Sequence, residues 1–192
     1  VSFLAAEHMD VWLTDFGRPE LTEGGMDRTL DDHLLAIDHA VDEIARRTGK
    51  DVHLAGYSQG GMFAYQIAAY RKCRSVASVV TFGSPVDIHR SLPGVRESVA
   101  GRVARAARKA IELPLKGLDG LPGSFTSVGF KLTNPAGELR QIVEVLGLLH
   151  DREALERRES KRRFLGGEGF VAWPGPALKN FIDEVIVANR MT

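Results

Sequence analysis

A single cysteine, Cys73, is all the thiol chemistry this sequence holds. An internal disulfide is therefore excluded, and a reducing compartment, the cytoplasm, is expected. No apolar run approaches the ~20 residues that cross a bilayer, and no signal peptide opens the chain. Net charge is zero, so nothing in the balance argues for nucleic acid as a partner. No His or Cys cluster has metal-ligand spacing, and Gly24-Gly25 and Gly60-Gly61 lack the spacing of a phosphate loop or a dinucleotide fingerprint. Neither a metal nor a cofactor is expected. Internal repeats are missing too, which sets solenoids aside.

What is present fits a globular chain. The 192 residues, 44% hydrophobic and 26% charged, are enough for one domain with a real core. Charge is unevenly spread: residues 1–89 carry 8 Lys/Arg against 13 Asp/Glu, and residues 90–192 carry 17 against 12. The division falls where the secondary-structure pattern also changes. It separates an α/β part, 1–89, from a mainly helical part, 90–192. Val1 is not a natural start, so residues are expected upstream.

The stretch from Asp51 to Phe63 organises the rest. A short apolar run climbs to Gly56-x-Ser58-x-Gly60, and an amphipathic segment, Met62 to Tyr70, follows at once. Strand, sharp turn and helix in that order are the context of a nucleophile elbow. Ser58 at the tip must take a strained backbone conformation, and a side chain at position 56 or 60 is expected to collide with the neighbouring strand or helix. The strain lifts the Ser58 hydroxyl off the sheet and leaves the Gln59 backbone N–H facing the space of a developing oxyanion. With Gly and Ser each near 7% of residues, the bare pattern arises by chance in roughly one chain of this length in fifteen. The strand and helix flanks favour a nucleophile over a glycine-rich turn with a surface serine.

Around the elbow the spacing predicts further elements. Val1–Ala6 reads as the end of a helix or strand, and Met9–Asp15 as a buried parallel strand. A loop with Gly17, Pro19, Gly24 and Gly25 follows, to Arg28. Thr29 caps a helix with the apolar stripe Leu30, Leu34, Ile37, Val41, Ile44, and Gly49 closes it. Phe63, Ile67 and Tyr70 form the inner side of the elbow helix, and Ser75–Phe82 a third buried strand. This alternation is the doubly wound parallel pattern, whose ligands bind at the C-terminal strand ends, where Ser58 stands. Beyond Asp87 only helices are expected: a stripe of Val95, Val99, Val103, Ala107 and Ile111; a helix capped by Asn134-Pro135 with Leu139, Ile142, Val143, Leu146 and Leu149 as its apolar face; a charged run, 151–163; and a last amphipathic helix on Leu178, Phe181, Ile182, Val185 and Ile186 after Pro174 and Pro176. The fold class expected is α/β with a helical cap, a lid over the serine.

Four motifs then stand in a familiar order: Val11-Trp12-Leu13-Thr14-Asp15-Phe16-Gly17-x-Pro19, Thr29-Leu30-Asp31-Asp32, Gly56-Tyr57-Ser58-Gln59-Gly60-Gly61, and Thr81-Phe82-Gly83-Ser84-Pro85-Val86-Asp87. They resemble those of polyhydroxyalkanoate synthases and related lipase-like α/β-hydrolases over about the first 90 residues. Pro174-Gly175-Pro176 and the helix toward Asn189 resemble the end of that family's cap more loosely. The resemblance implies a partial α/β-hydrolase sheet, an acyl ester or acyl-coenzyme A substrate, and a nucleophile at position 58. The synthases carry cysteine there. Ser58 shifts the expectation to a serine-dependent acyl hydrolase or acyltransferase of the lipase/esterase kind, with synthase-type polymerisation and a non-catalytic lipid-binding or assembly module as alternatives.

A serine needs a base and an orienting acid, in α/β-hydrolases in the order Ser, Asp/Glu, His. The resemblance puts both after the cap, so the 192 residues are expected to be an internal segment of a longer enzyme. Within the chain Asp87, after the third strand, is the candidate acid, against a bland reading as cap of the next turn. Of the later histidines, His89 lies beside Asp87 and His150 ends a helix; either as base is the weaker reading. His8, His33 and His39 read as surface or edge residues, His53 as a satisfied core histidine, and Asp15 as a loop anchor. The basic row Arg102, Arg105, Arg108, Lys109 reads first as a solvated face and second as a contact for coenzyme A phosphates or a lipid surface. A peripheral lipid contact and a homodimer, both through the cap, complete the expected partners.

Overall fold

Two parallel strands with two helices against one side form the frame that carries Ser58. In the computed structural model, residues 2–91, 96–112, 119–133, 135–162 and 170–190 are described. A short helix, α1 (Ser2–Ala6), opens them. Residues 9–18 then run without regular structure, so the strand expected at Met9–Asp15 is not formed. Most of its apolar side chains stay in solvent: Met9, Trp12 and Leu13 are exposed and Val11 is half-buried. An apolar run becomes a strand only where a ladder accepts it, and β1 pairs with β2 alone.

Two 3-10 turns, Pro19–Leu21 and Gly25–Asp27, lead to α2 (Leu30–Thr48). Its capping box is complete: Thr29 Oγ1 accepts from Asp32 N, and Asp32 Oδ2 accepts from Thr29 N at 2.8 Å. Gly49 ends the helix at φ 66°. Strand β1 (Val52–Tyr57) follows, then α3 (Gln59–Tyr70), then β2 (Val76–Phe82), with β1 and β2 parallel and paired from Val52↔Val76 to Tyr57↔Phe82. Val41 of α2 and Ile67 and Ala68 of α3 pack on Val76, with Leu34, Ile37, Val52, Leu54 and Val79 around them.

Both helices cover the same sheet face. The strands are therefore not buried on two sides as expected of a doubly wound sheet; His53, Ala55, Tyr57, Val80 and Phe82 alternate onto an open face. His53 is satisfied, through Nδ1 to Ser78 Oγ at 2.8 Å, but it is exposed rather than core. Tyr70 is likewise exposed, because α3 turns it past the edge of the packed face.

After β2 come α4 (Ile88–Ser91), α5 (Glu97–Glu112), a two-residue strand β3 (Gly120–Leu121), α6 (Gly123–Thr133), α7 (Pro135–Leu148), α8 (Arg152–Arg162), a second short strand β4 (Trp173–Pro174) antiparallel to β3, and α9 (Gly175–Asn180), which widens into a π-helix over Phe181–Val187. The short pair of strands was not expected among the helices. Among the described side chains of α5 the buried ones are Ala100 and Ala104, one position beyond the expected stripe, while Val103 is exposed. Small side chains let α5 approach the C-terminal helix, where Arg108 meets Asp183 at 3.1 Å. Val95 and Asn134, and the side chains of Ala107, Lys109 and Ile111, lie outside the described residues.

Helix α7 buries Val145, and its expected apolar face, Leu139, Ile142, Val143, Leu146 and Leu149, is exposed. Ion pairs along α8 account for its helicity: Arg152–Glu156 at 2.8 Å and Glu153–Arg157 at 2.6 Å, four residues apart. The last helix forms as expected and turns back to the frame. Val185, buried to 1% exposure, packs with Met62 of α3 and Ile88 of α4.

Candidate active site at the strand–helix bend

Ser58 lies between the last residue of β1 and the first of α3, with φ 53° and ψ −119°. For a residue with a Cβ that is a sparsely populated, strained conformation, held only where the surroundings dictate it. They do so here from both sides. Ser58 N donates to Phe82 O at 2.9 Å, extending the β1–β2 ladder, while Ser58 O accepts from Gly61 N at 3.1 Å and Met62 N at 3.3 Å, starting α3. The chain must reverse from strand to helix within one residue. The Ser58 side chain is exposed and makes no capping bond to its own helix, so the described cap leaves the hydroxyl open.

Of the two glycines expected to be crowded, Gly56 is and Gly60 is not. A Cβ on Gly56 would sit 2.2 Å from the backbone Gly60 O, an impossible contact. One on Gly61 would lie 1.9 Å from Ser84 Oγ, which would have to turn aside, and 3.0 Å from Gly56 O. At Gly60 it would meet nothing within 4 Å. The tight approach that the bend needs is thus made by Gly56 and Gly61, and Gly60 has room for a side chain.

Gln59, the first residue of α3, also lines a cavity of about 120 Å³. Phe16, Leu30, Phe63 and Trp173 supply apolar wall, and Arg28 and His33 supply polar groups. Arg28 is tied in twice, through Nη1 to Phe16 O at 2.9 Å and through its own carbonyl, which accepts from Ala177 N at 3.1 Å. His33 Nδ1 lies 2.6 Å from Thr29 O. A carbonyl can only accept, so Nδ1 carries the hydrogen. The ring stacks on Phe63 at 6.1 Å and meets the edge of Phe16 at 4.9 Å. His33 was read as a surface or edge residue. Its place three residues after Leu30, on the flank of the apolar stripe, is the signal that could have put it beside α3.

The remaining candidates are held elsewhere. Asp87 Oδ1 accepts from Arg90 N at 3.1 Å and from Asn189 Nδ2 at 2.9 Å, so it caps α4 and anchors the C-terminal segment. The Arg90 N–H, followed by the Asn189 amide, lowers its pKa. His89 Nε2 pairs with Ile186 O at 3.0 Å. Asp15 Oδ1 accepts from Gly17 N at 2.8 Å, the loop anchor expected. Among the described residues no hydrogen bond joins a histidine ring to Ser58 Oγ, and no group of three His, Cys, Asp or Glu is placed to hold a metal. Arg102 and Arg105 are exposed on α5. No described helix is long and apolar enough to cross a membrane.

No family model, curated protein or solved structure matches this chain. What the residues at the bend can do chemically rests on their own geometry. An exposed primary hydroxyl is held by a strained residue at a strand's C-terminal end. The next N–H opens a helix whose first amides have no intrahelical partner. Together they offer a nucleophile and an anion-stabilising donor side by side.

Proposed function

We propose that this chain carries the nucleophile of a serine-dependent acyl hydrolase or acyltransferase acting on acyl esters or thioesters, and that β1, Ser58, α3 and β2 are part of an α/β-hydrolase sheet of the polyhydroxyalkanoate synthase-like and lipase-like kind. The observation that carries the reading is the backbone of Ser58, φ 53° and ψ −119°, in a residue that is not glycine. Such strain persists only where the surroundings dictate it, and it clusters at active sites. In the proposed reaction Ser58 Oγ attacks the acyl carbonyl carbon. The oxygen of that carbonyl becomes the oxyanion and accepts from Gln59 N–H. The C–O or C–S bond to the alcohol or thiol then breaks, and the leaving group departs with a proton. Water or an acceptor hydroxyl cleaves the acyl-serine in turn. The general base and its acid would come from residues that the resembled enzymes place after the cap.

The test is to mix the full-length protein with an activated ester, quench within seconds and measure the mass. A gain of one acyl group on the peptide carrying Ser58, absent in Ser58→Ala, supports the reading. An unmodified Ser58 under steady turnover contradicts it.

A further inference from the structure

The cavity beside Gln59 has a chemistry that the Ser58 reading alone does not specify. We propose that it is the acyl-group site, and that Arg28 and His33 select a short acyl group ending in a carboxylate, as in the monoester or monothioester of a small dicarboxylic acid. The proposal rests on Ser58 as nucleophile for its orientation, but the pocket's charge stands independently.

Size comes first. A volume of about 120 Å³ is below the ~150 Å³ of a cavity that holds benzene, so the group inside has roughly five or six heavy atoms. Charge comes next. Among the described residues the Arg28 guanidinium makes one hydrogen bond, to the neutral carbonyl of Phe16, and no ion pair. A half-buried cation beside an apolar wall gains most from an anion that hydrogen-bonds it directly. The Asp32 charge acts on Arg28 and His33 through space but makes no hydrogen bond to Arg28, its Oδ2 accepting from Thr29 N and Oγ1. Glu20 pairs with Arg18 at 2.8 Å and receives Ala172 N at 3.3 Å. The donors of Arg28 beyond its Phe16 bond remain for a ligand. His33 adds to this. With Nδ1 donating to Thr29 O, Nε2 is the ring atom left for a ligand. A long alkyl chain would instead bury both polar groups against hydrocarbon.

Binding without chemistry separates this site from the catalytic reading. With Ser58→Ala protein, calorimetry of monomethyl succinate against methyl butyrate, its uncharged counterpart of similar size, should show at least tenfold tighter binding of the anion. Arg28→Gln, which keeps a donor for Phe16 O, should reduce that preference to threefold or less. Arg28→Lys should retain part of it, and His33→Phe, which keeps the ring stack, should lower it. Equal binding of the two compounds, or tighter binding of the neutral one, overturns the proposal. So does a preference that survives Arg28→Gln. If the anion binds through Arg28 and yet Ser58 never acylates, the pocket stands and the catalytic reading falls. If Ser58 acylates but without any preference for the anion, the reverse holds.

Discussion

Gly56, Gly60 and Gly61 lie within six residues, yet a methyl group meets a different environment at each. At Gly56 it would drive into the Gly60 carbonyl at 2.2 Å, and at Gly60 it would enter open space. Gly56→Ala is therefore expected to destabilise the protein by about 3 kcal/mol, the upper end of the range for overpacked contacts. Gly60→Ala, inside a helix, should be neutral or stabilise by up to about 1 kcal/mol. Urea unfolding of the two variants decides the matter, and equal effects would mean the bend is not packed as described. At this scale the sequence was half legible. The G-x-S-x-G spacing located Ser58, because a strained serine needs a glycine before it. It misassigned the second glycine, because the residue that crowds Gly61, Ser84, lies 23 residues beyond it and is brought there by β2.

Among the elements, α2 was the most legible, since its cap, stripe and closing glycine are all local. The strand expected at Met9–Asp15 failed because pairing is not a local property. Arg71 shows the same limit. It ends α3 with 4% exposure, and nothing near it in sequence marks it as buried. Its guanidinium reaches back to Asp38 and Asp42 of α2, and its Nε donates to Arg74 O at 2.9 Å, holding a turn in which Lys72, Cys73 and Ser75 all have positive φ. Asp42 is exposed and solvated without its partner, whereas Asp38 is mostly buried. Arg71→Met therefore leaves Asp38 and the Arg74 carbonyl short of a donor and should lower stability by about 1–3 kcal/mol. Denaturant melts would check it, and a loss under about 1 kcal/mol would show that the clamp is dispensable. The acid side follows the same bonds. Arg71 lowers the pKa of Asp42, and Thr29 N, followed by the Thr29 hydroxyl, lowers that of Asp32. A carboxylate depressed in the folded state contributes fully above its unfolded pKa. That contribution is lost as pH falls through the folded value, so the melting temperature should drop below about pH 4. The drop should be smaller in Arg71→Met, measured by thermal melts from pH 6 to 2.

Across the whole molecule one side chain clasps the segment after β2 to the C-terminal end of the chain, beside the packing of Val185 on Met62. Asn189, at φ 54°, accepts from Ile88 N at 2.9 Å and donates to Asp87 Oδ1 at 2.9 Å, about 100 residues away. Asn189→Ala strands these groups and puts a less tolerant residue in the left-handed region, at a cost of about 1–3 kcal/mol. Amide exchange should quicken over 181–190 and spare α2; uniform quickening would contradict a local clasp. The mixed α/β class and the helical second part were legible from periodicity. The open sheet face and the exposed face of α7 were not, because apolar alternation states what is to be covered but not by what.

The central claim is that Ser58 is a nucleophile poised by its backbone, and active-site labelling tests it most directly. A fluorophosphonate incubated with the full-length protein should add once, on the peptide bearing Ser58, and Ser58→Ala should abolish the adduct without lowering the melting temperature. Either no adduct, or one that persists in Ser58→Ala, would contradict the account.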